Sequence, residues 1–191
     1  MRHKSVVLLC SLFFIQLAYG ADNVQLSLLY RADQAARQKE NVNWNLLKSK
    51  DEERRMAVLL MIKNGEITTA TDYSNAAMIF HHGDSEGEIR LAHSLAVIGS
   101  AIDPTDTNLN WMKAASWDRL LISFNQPQWY ATQLIRDENG RFELYQVNED
   151  VITDDERIYW SVLTLKEAKE RANSLNNESL LLRQMLAMER N

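Results

Sequence analysis

Residues 76–88 read Ala-Ala-Met-Ile-Phe-His-His-Gly-Asp-Ser-Glu-Gly-Glu, and this stretch decides the fold because it joins two predicted helices through a short turn. Its first half carries apolar residues at helical spacing, which predicts a helix over 72–82 that ends at the first glycine. Ser85 and Glu88 then match a capping box, in which the serine accepts from a backbone N–H and the glutamate reaches back. A second helix is therefore predicted over 85–99.

Amphipathic spacing predicts four further helices, and they cover 26–40, 51–64, 109–124 and 164–188. The acidic run Asp51-Glu52-Glu53 fits the start of a helix, where the helix dipole favours negative charge. Thr164 and Glu167 match a second capping box. Residues 102–108 contain a proline and several turn formers, so a loop is expected there.

The period of the pattern changes from helical to alternating at Trp129. Alternating runs over 130–135 and 142–147 are joined by Asp-Glu-Asn-Gly, and Asn-Gly between such runs is the strongest short hairpin signal. No internal repeat or long linker interrupts residues 21–191. The sequence therefore predicts a mainly α protein, a compact bundle of about five to six helices with a β-hairpin near 129–147 and a C-terminal helix, in a single globular domain.

The composition favours the same architecture. The 191 residues include only six glycines and two prolines, well below the usual frequencies of about 7% and 5%, which argues against collagen-like, low-complexity and turn-dense all-β proteins. Lysine and arginine number 21 against 26 acidic residues, a net charge of −5. Affinity for nucleic acid depends largely on basic side chains that neutralise phosphates, so nucleic-acid binding is not expected.

Residues 1–20 have the three parts of an export signal. Arg2 and Lys4 form a positive start, an apolar run follows over 6–17, and Ala-Tyr-Gly ends the segment as a cleavage site. A membrane anchor is the alternative, but a transmembrane helix needs about twenty apolar residues, more than this run supplies. The protein is expected in the periplasm or outside the cell, without stable membrane insertion after signal cleavage.

Cleavage after Gly20 would leave 171 residues with a net charge of −7 and no cysteine, because Cys10 is the single cysteine of the chain. The mature protein would then have no disulfide, no cysteine nucleophile and no thiolate zinc site. A lipoprotein is disfavoured because no cysteine follows the cleavage site. The acidic charge favours a protein partner with a basic surface.

The three histidines that follow the predicted signal lie close together in the sequence, at His81, His82 and His93, with Asp84 between them. They suggest a metal site, but a helical rise of 1.5 Å per residue places His93 about 12 Å along its helix, too far to share an ion with His82 in a simple helical hairpin. The alternatives are a hydrogen-bonded core position for His93 and a helix-dipole role for the other two. Neither a metal nor a cofactor is therefore predicted.

Two combinations of aspartate and arginine also need an explanation. Asp118 and Arg119 are adjacent within apolar surroundings, where they would form either an internal salt bridge or an arginine fork that an acid orients toward an anionic ligand. Asp33 and Arg37 have the i,i+4 spacing of an ordinary ion pair on one helix.

Five phrases, taken in order, resemble a bacterial family known only as a domain of unknown function. They are Asp33-Gln34-x-x-Arg37, Ala77 to Asp84, Leu91-Ala92-His93, Ala114-x-x-x-Asp118-Arg119 and Pro127-Gln128-x-Tyr130-Ala131-Thr132-Gln133. The resemblance covers roughly residues 25–175 and implies a fold but no established activity. The family commonly has glycine where this chain has Ala131, so a backbone conformation reserved for glycine is not expected there.

If the helices and the hairpin pack together, nine polar side chains are expected to converge. They are Asp33, Gln34, Arg37, His82, Asp84, His93, Asp118, Arg119 and Gln133. The first hypothesis is a binding or interaction module, in which this group holds the elements in register while an exposed surface meets a partner; an inhibitor or immunity-type protein is one example.

The second hypothesis is a hydrolase. His82 or His93 would act as general base, Asp84 or Asp118 would orient it, and Arg119 would stabilise an anionic transition state. No G-x-S-x-G, H-E-x-x-H or glycine-rich phosphate loop occurs, so such an enzyme would activate water directly.

Overall fold

The protein is described by a computed structural model that covers residues 20–39 and 41–188, with side chains up to residue 178. The predicted export signal therefore lies outside the described residues except for Gly20. The described part contains seven helices and one two-stranded sheet, which confirms the mainly α fold. The elements are α1 (Val24–Arg37), α2 (Trp44–Lys63), α3 (Ala70–His81), α4 (Glu86–Ile102), α5 (Thr107–Ser123), β1 (Leu134–Arg136), β2 (Phe142–Leu144), α6 (Asp154–Tyr159) and α7 (Leu165–Met188).

The six predicted helices are confirmed, with some differences at their ends. Helix α2 begins at Trp44 rather than at residue 51, because the Asn43 side chain accepts from the backbone N–H of Leu46 and caps the helix there. Asp51 therefore lies well inside α2 rather than in its first turn. The short helix α6 was not predicted, although Thr153 and Glu156 form a complete capping box at its start.

The core lies where α3 packs between α1 and α4, and α5 packs mainly against α4 while also contacting α3. Both predicted capping boxes are confirmed: Glu88 Oε2 accepts from the backbone N–H of Ser85 at 3.0 Å, and Glu167 Oε2 accepts from that of Thr164 at 2.9 Å. Small residues on α3 and α4 allow the two helices to approach closely. The buried cluster comprises Leu26, Val58, Met61, Ile67, Ala76, Ala77, Ile79, Phe80, Ala92, Leu95, Ala96, Leu109 and Met112.

The hairpin is confirmed, but its strands are three residues long. Ile135 pairs with Glu143 in the antiparallel sheet. The backbone N–H of Gly140 donates to the carbonyl of Asp137 at 2.9 Å, and Gly140 has a φ of +75°, which glycine adopts without strain. The Asn-Gly signal thus marks the turn correctly.

The strand predicted over 130–135 is wrong in its first half. Asp118, in α5, accepts the backbone N–H groups of Trp129 and Tyr130 at 2.8 and 2.9 Å, and that of Thr132 at 3.0 Å. Because these donors are already bonded to a side chain, they are not free to pair with a second strand. The backbone from 129 to 132 therefore folds around Asp118 as a loop.

Ala131 lies in that loop and has a φ of +61°, the left-handed conformation that favours glycine. The expectation that this position needs no such conformation is therefore wrong. The loop around Asp118 imposes the conformation, and an alanine occupies it at some cost in backbone strain.

Helix α7 is the longest helix, with 24 residues, and it packs against β2. Asn176 fastens the two elements: its Oδ1 accepts the backbone N–H of Phe142 at 2.7 Å, and its Nδ2 donates to the carbonyl of the same residue at 2.8 Å. No helix among the described residues is both long and apolar enough to cross a membrane.

Two glycines of α4 provide a test of the packing. A Cβ at Gly99 would lie 2.7 Å from Leu109 Cδ2 and 2.8 Å from Tyr73 Cβ, whereas a Cβ at Gly87 would meet nothing within 4 Å. We expect Gly99→Ala to lower the free energy of unfolding by about 1 to 2 kcal/mol, because overpacking outweighs the gain in helix propensity. Gly87→Ala should leave it unchanged or raise it by up to about 1 kcal/mol. Urea denaturation measures both, and equal effects would contradict the described helix contacts.

Candidate functional site

A cleft of about 360 Å³ opens where the C-terminal ends of α1 and α3 meet the first part of α2 and the C-terminal half of α5. Its volume falls within the range of about 300 to 1,000 Å³ that is common for small-molecule sites. Ten residues line it: Arg37, Trp44, Asn45, Leu47, Lys48, Asp51, Arg55, His82, Asp84 and Arg119. Four of these, Arg37, His82, Asp84 and Arg119, belong to the group predicted from sequence.

His82, the residue that follows α3, is held by a buried carboxylate. Its Nδ1 lies 2.9 Å from Oδ2 of Asp33, which is fully buried in α1. The Nε2 atom has no hydrogen-bond partner among the described residues, and His82 lines the cleft. This arrangement fixes the orientation of the imidazole and leaves one nitrogen free for a ligand or a proton.

Asp33 is also the centre of an ion-pair network between α1 and α2. Arg37 Nη1 lies 2.8 Å from Asp33 Oδ1, which confirms the predicted i,i+4 pair, and Arg37 Nη2 lies 2.7 Å from Asp51 Oδ2. Arg54 donates to Asp51 and its Nε lies 3.4 Å from Asp33. Burial acts to raise the pKa of Asp33, but the hydrogen bond and charge of His82 and the charges of the two arginines outweigh it and lower that pKa.

Arg55, from α2, is almost completely buried, with 6% of its surface exposed. Its Nε lies 2.6 Å from Glu88 Oε1, in contact but without hydrogen-bond alignment. The two Nη atoms donate to no acceptor among the described residues, and the side chain lines the cleft. A buried guanidinium with free Nη groups at a cleft wall is suited to bind an anion in a bidentate manner.

Arg119 supplies a second guanidinium from α5. It donates through Nη1 to the carbonyl of His81 and through Nη2 to that of Gly83, the latter at 2.8 Å. No carboxylate oxygen of the described residues lies within 4.0 Å of it. Burial lowers the pKa of Arg119, and the charges of nearby acidic residues only partly oppose this. Its positive charge is therefore incompletely neutralised within the protein.

The rim of the cleft is more exposed. Asp84 pairs with Lys48 of α2 at 2.9 Å, and both side chains are largely exposed. The Lys48 hydrogen bond lowers the pKa of Asp84. Trp44, the first residue of α2, is 71% exposed and presents an apolar ring at the mouth.

The predicted pairing of Asp118 with Arg119 is wrong. Asp118 is fully buried and accepts from the 129–132 loop, including Thr132 Oγ1 at 2.8 Å, whereas Arg119 reaches the carbonyl groups at the end of α3. Adjacent helical residues point about 100° apart, so their side chains serve different neighbours. Asp118 is a bracing residue of the loop and does not orient a histidine. Burial raises its pKa, and the four hydrogen bonds that it accepts oppose that rise.

Gln133 belongs to the same bracing arrangement. Its side chain donates to the carbonyl of Ala115 at 3.3 Å and to Thr132 Oγ1 at 3.0 Å. The buried Gln128 completes the loop, because its Oε1 accepts the backbone N–H of Gln133 and its Nε2 donates to the carbonyl of Tyr145. Gln133 therefore does not reach the cleft.

His93 lies in a different part of the molecule. Its Nδ1 is 3.1 Å from Ser116 Oγ and 3.2 Å from the carbonyl of Lys113. Burial lowers the pKa of His93. The hydrogen-bonded core position is the interpretation that agrees with this geometry. The predicted convergence of nine polar residues is therefore wrong for His93, Asp118 and Gln133.

Sequence reasoning missed the residues that α2 contributes, namely Lys48, Asp51, Arg54 and Arg55, and also Glu88. Asp51 was interpreted as a helix-start residue because the predicted helix begins seven residues after the actual start of α2. Arg54 lies three residues after Asp51, so with the correct start their ion pair on one face of α2 would have been visible, whereas Arg55 pairs with Glu88 of α4.

No group of three or more His, Cys, Asp or Glu side chains in the described part of the chain is arranged to hold a metal ion. No family model, curated protein or solved structure matches this chain. The candidate site therefore has to be interpreted from its own geometry.

His81, which lies beside the cleft, should make the stability of the protein depend on pH. Burial, with the charges of Arg119 and His82, lowers its pKa to about 3. Because the folded pKa lies below that of the unfolded chain, stability is full above pH 6.5 and declines as the pH falls below it. Between pH 7.5 and 5 this residue should cost about 2 kcal/mol of unfolding free energy. Urea denaturation at pH 7.5 and at pH 5 should show that His81→Gln loses about 2 kcal/mol less free energy of unfolding than the parent protein over this interval. Equal losses in the two proteins would contradict a buried neutral histidine.

Proposed function

We propose that this protein is a binding module, acting outside the cytoplasm, whose cleft holds the carboxylate or phosphate group of a small molecule. The observation that carries the proposal is a pair of guanidinium groups in the cleft wall: among the described residues, the Nη groups of Arg55 donate to no acceptor and Arg119 contacts no carboxylate. Arg55 is paired with Glu88 through Nε, so the cleft charge that lacks a carboxylate is that of Arg119. A charge withdrawn from water is normally paired, because leaving it unpaired is costly. An anionic ligand would supply the missing acceptors.

The charges around the cleft support this ligand class. Lys48 pairs with Asp84 and Arg37 with Asp51, so these four lining charges neutralise one another. Arg55 pairs with Glu88, whereas Arg119 contacts no carboxylate of the described residues, so the excess positive charge of the cleft is that of Arg119, in a protein whose overall charge is negative. His82 Nε2 adds a possible donor, and the exposed ring of Trp44 offers contact to an apolar part of the ligand.

Isothermal titration calorimetry with inorganic phosphate and with succinate at low ionic strength tests the proposal. At least one of the two probes should bind, and Arg55→Met should weaken that binding tenfold or more, since a hydrogen bond to a charged group contributes about 1.5 to 3 kcal/mol. Arg90→Met is the matched control, because Arg90 is exposed on α4, where it pairs with Glu86 and lies over the Phe124 ring, and it does not line the cleft.

Circular dichroism would establish that both variants are folded. The proposal fails if neither probe binds the parent protein, or if Arg55→Met and Arg90→Met bind as the parent does.

A hydrolase is the second candidate, and the contact between His82 and Asp33 favours it. In this mechanism His82 Nε2 takes a proton from water, the water oxygen attacks the carbonyl carbon of an ester whose acid part is anionic, and the proton passes to the departing alcohol. Arg55 and Arg119 would hold the anionic group and the developing oxyanion. The orienting acid is Asp33, not Asp84 or Asp118 as the sequence suggested.

Release of nitrophenolate from mono-4-nitrophenyl succinate tests this second candidate. His82→Gln should abolish turnover above the spontaneous rate while succinate binding persists, and His93→Gln should keep full turnover. Binding without any turnover in the parent protein would exclude the hydrolase on this substrate class and leave the binding module intact.

The acidic net charge separately supports a protein partner with a basic surface, as proposed from composition. Co-purification of the mature protein at low ionic strength tests this. A stable partner should be released as the salt concentration rises, because salt screens charges on an exposed surface. Failure to recover any partner would argue against it without affecting the cleft.

A further inference from the structure

We infer that a second pocket, separate from the arginine cleft, binds a single-ring aromatic carboxylate. This pocket has a volume of about 250 Å³ and is contributed by α4, α5, the 129–132 loop and the residue that follows α6. Its lining residues are His93, Val97, Lys113, Ala114, Trp117, Tyr130 and Trp160. The inference does not depend on the function proposed for the cleft.

Aromatic rings form most of its walls. Tyr130 and Trp160 meet edge to face with centroids 6.4 Å apart, and Trp117 packs against His93 at 5.6 Å. Ring pairs in such geometries stabilise one another beyond simple burial. A planar ring entering the pocket would find the same kind of contact, and the small volume limits the ligand to about one ring with its substituents.

The pocket also holds a cation that no acid of the described residues neutralises. Lys113 is the charged residue of the lining, and its Nζ lies 4.0 Å from the ring centroid of Trp160. No carboxylate oxygen in the described part of the chain lies within 4.0 Å of that ammonium. Burial lowers the pKa of Lys113, and no acidic neighbour counteracts this effect. A ligand carboxylate would complete the ion pair.

A neutral donor strengthens the preference for an acceptor-bearing ligand. The indole Nε1 of Trp117 is shielded from solvent, so the neutral donor of the lining is the hydroxyl of Tyr130. The Tyr130 hydroxyl bonds to none of the described residues, and burial, with the charges of Asp118 and Glu156, raises its pKa, so it keeps its proton at neutral pH. A phenolic O–H group can donate to a carboxylate oxygen or to a ring substituent.

Phenylacetate, cyclohexylacetate and phenethylamine are the probes for this pocket, compared by calorimetry and by saturation-transfer NMR. Phenylacetate should bind severalfold more tightly than cyclohexylacetate, because the ring stacks, and phenethylamine should not bind, because Lys113 repels it. Binding should also shift the indole N–H resonance of Trp117.

Three variants locate the binding. Lys113→Met keeps the aliphatic stem and should weaken phenylacetate about tenfold or more, since it removes a charged hydrogen bond. Lys169→Met, on the exposed face of α7, should bind phenylacetate as the parent does, and Arg55→Met, in the cleft, should keep the shift of the Trp117 indole N–H that phenylacetate causes. Thermal melts confirm that the variants are folded.

The assignment is overturned if phenylacetate does not bind at millimolar concentration, or if Lys113→Met binds it unchanged. It is equally overturned if Arg55→Met abolishes the binding, because the acid would then occupy the arginine cleft. That last outcome would support the function proposed for the cleft while removing the second site.

Discussion

Asp33→Asn is expected to lower the free energy of unfolding by about 4 kcal/mol at pH 7. Asp33 is fully buried and accepts from His82 and Arg37, with Arg54 close by. An asparagine cannot balance two arginines, and its amide nitrogen would face groups that are themselves donors. Breaking a buried ion pair by removing one partner typically costs about 3 to 5 kcal/mol.

Asp150→Asn is the matched control, because Asp150 is exposed and its substitution should change the free energy of unfolding by less than about 0.5 kcal/mol.

The pH dependence of stability is a second test of the role of Asp33. The pKa of Asp33 is lowered by folding, so its contribution is full above its ordinary value of 3.8 and is lost as the pH falls below it. Urea denaturation should therefore show the parent and Asp33→Asn converging below about pH 4. If Asp33→Asn and Asp150→Asn both lowered the free energy of unfolding by a similar small amount, the ion-pair network around Asp33 would be refuted.

Asp118→Asn should lower the free energy of unfolding by about 3 kcal/mol. Each carboxylate oxygen of Asp118 accepts two hydrogen bonds, from Trp129 and Tyr130 at one oxygen and from Thr132 twice at the other. Asparagine has a single acceptor oxygen, so at least two of these buried donors would face an N–H group. Each unsatisfied buried donor costs about 1 to 3 kcal/mol.

Thr132→Val should have a smaller effect than Asp118→Asn. It removes one of the four donors to Asp118 and should lower the free energy of unfolding by about 1 kcal/mol. The same Asp150→Asn variant is the baseline. Limited proteolysis should cut Asp118→Asn within the 129–132 loop before the parent, since the loop has few other backbone hydrogen bonds. If Asp118→Asn is as stable and as resistant as the parent, the loop is held by something other than this carboxylate.

The helices and the hairpin turn were predictable because their signals are local. Ser85 with Glu88, and Thr164 with Glu167, occupy fixed spacings that act within one turn of helix. Gly140 likewise acts within its own turn. Residues 130–132 were mispredicted because Asp118, more than ten positions away, accepts the backbone N–H groups of Tyr130 and Thr132, and an alternating pattern carries no information about such a distant acceptor.

The candidate site was only half predictable. His82 and Asp33 stand out in the sequence, but their contact spans 49 positions and depends on how α1 meets the end of α3. Arg55 looks like part of an ordinary solvated helix face, and only the packing of α2 against Glu88 shows it to be buried. The residues that brace the 129–132 loop and the residues that line the cleft are of the same polar types. The sequence alone therefore could not distinguish the two groups.

Helix α5 carries Lys113 to the aromatic pocket, Asp118 to the loop and Arg119 to the cleft. An insertion or deletion of one residue between positions 113 and 118 would rotate everything beyond it by about 100° and shift it by about 1.5 Å. Arg119 would then turn away from the carbonyl groups of His81 and Gly83, and Lys113 would be separated from Trp160, which lies beyond the change. A substitution in this segment of α5 changes the contacts of one residue. A change in the length of the segment disrupts two parts of the molecule at once.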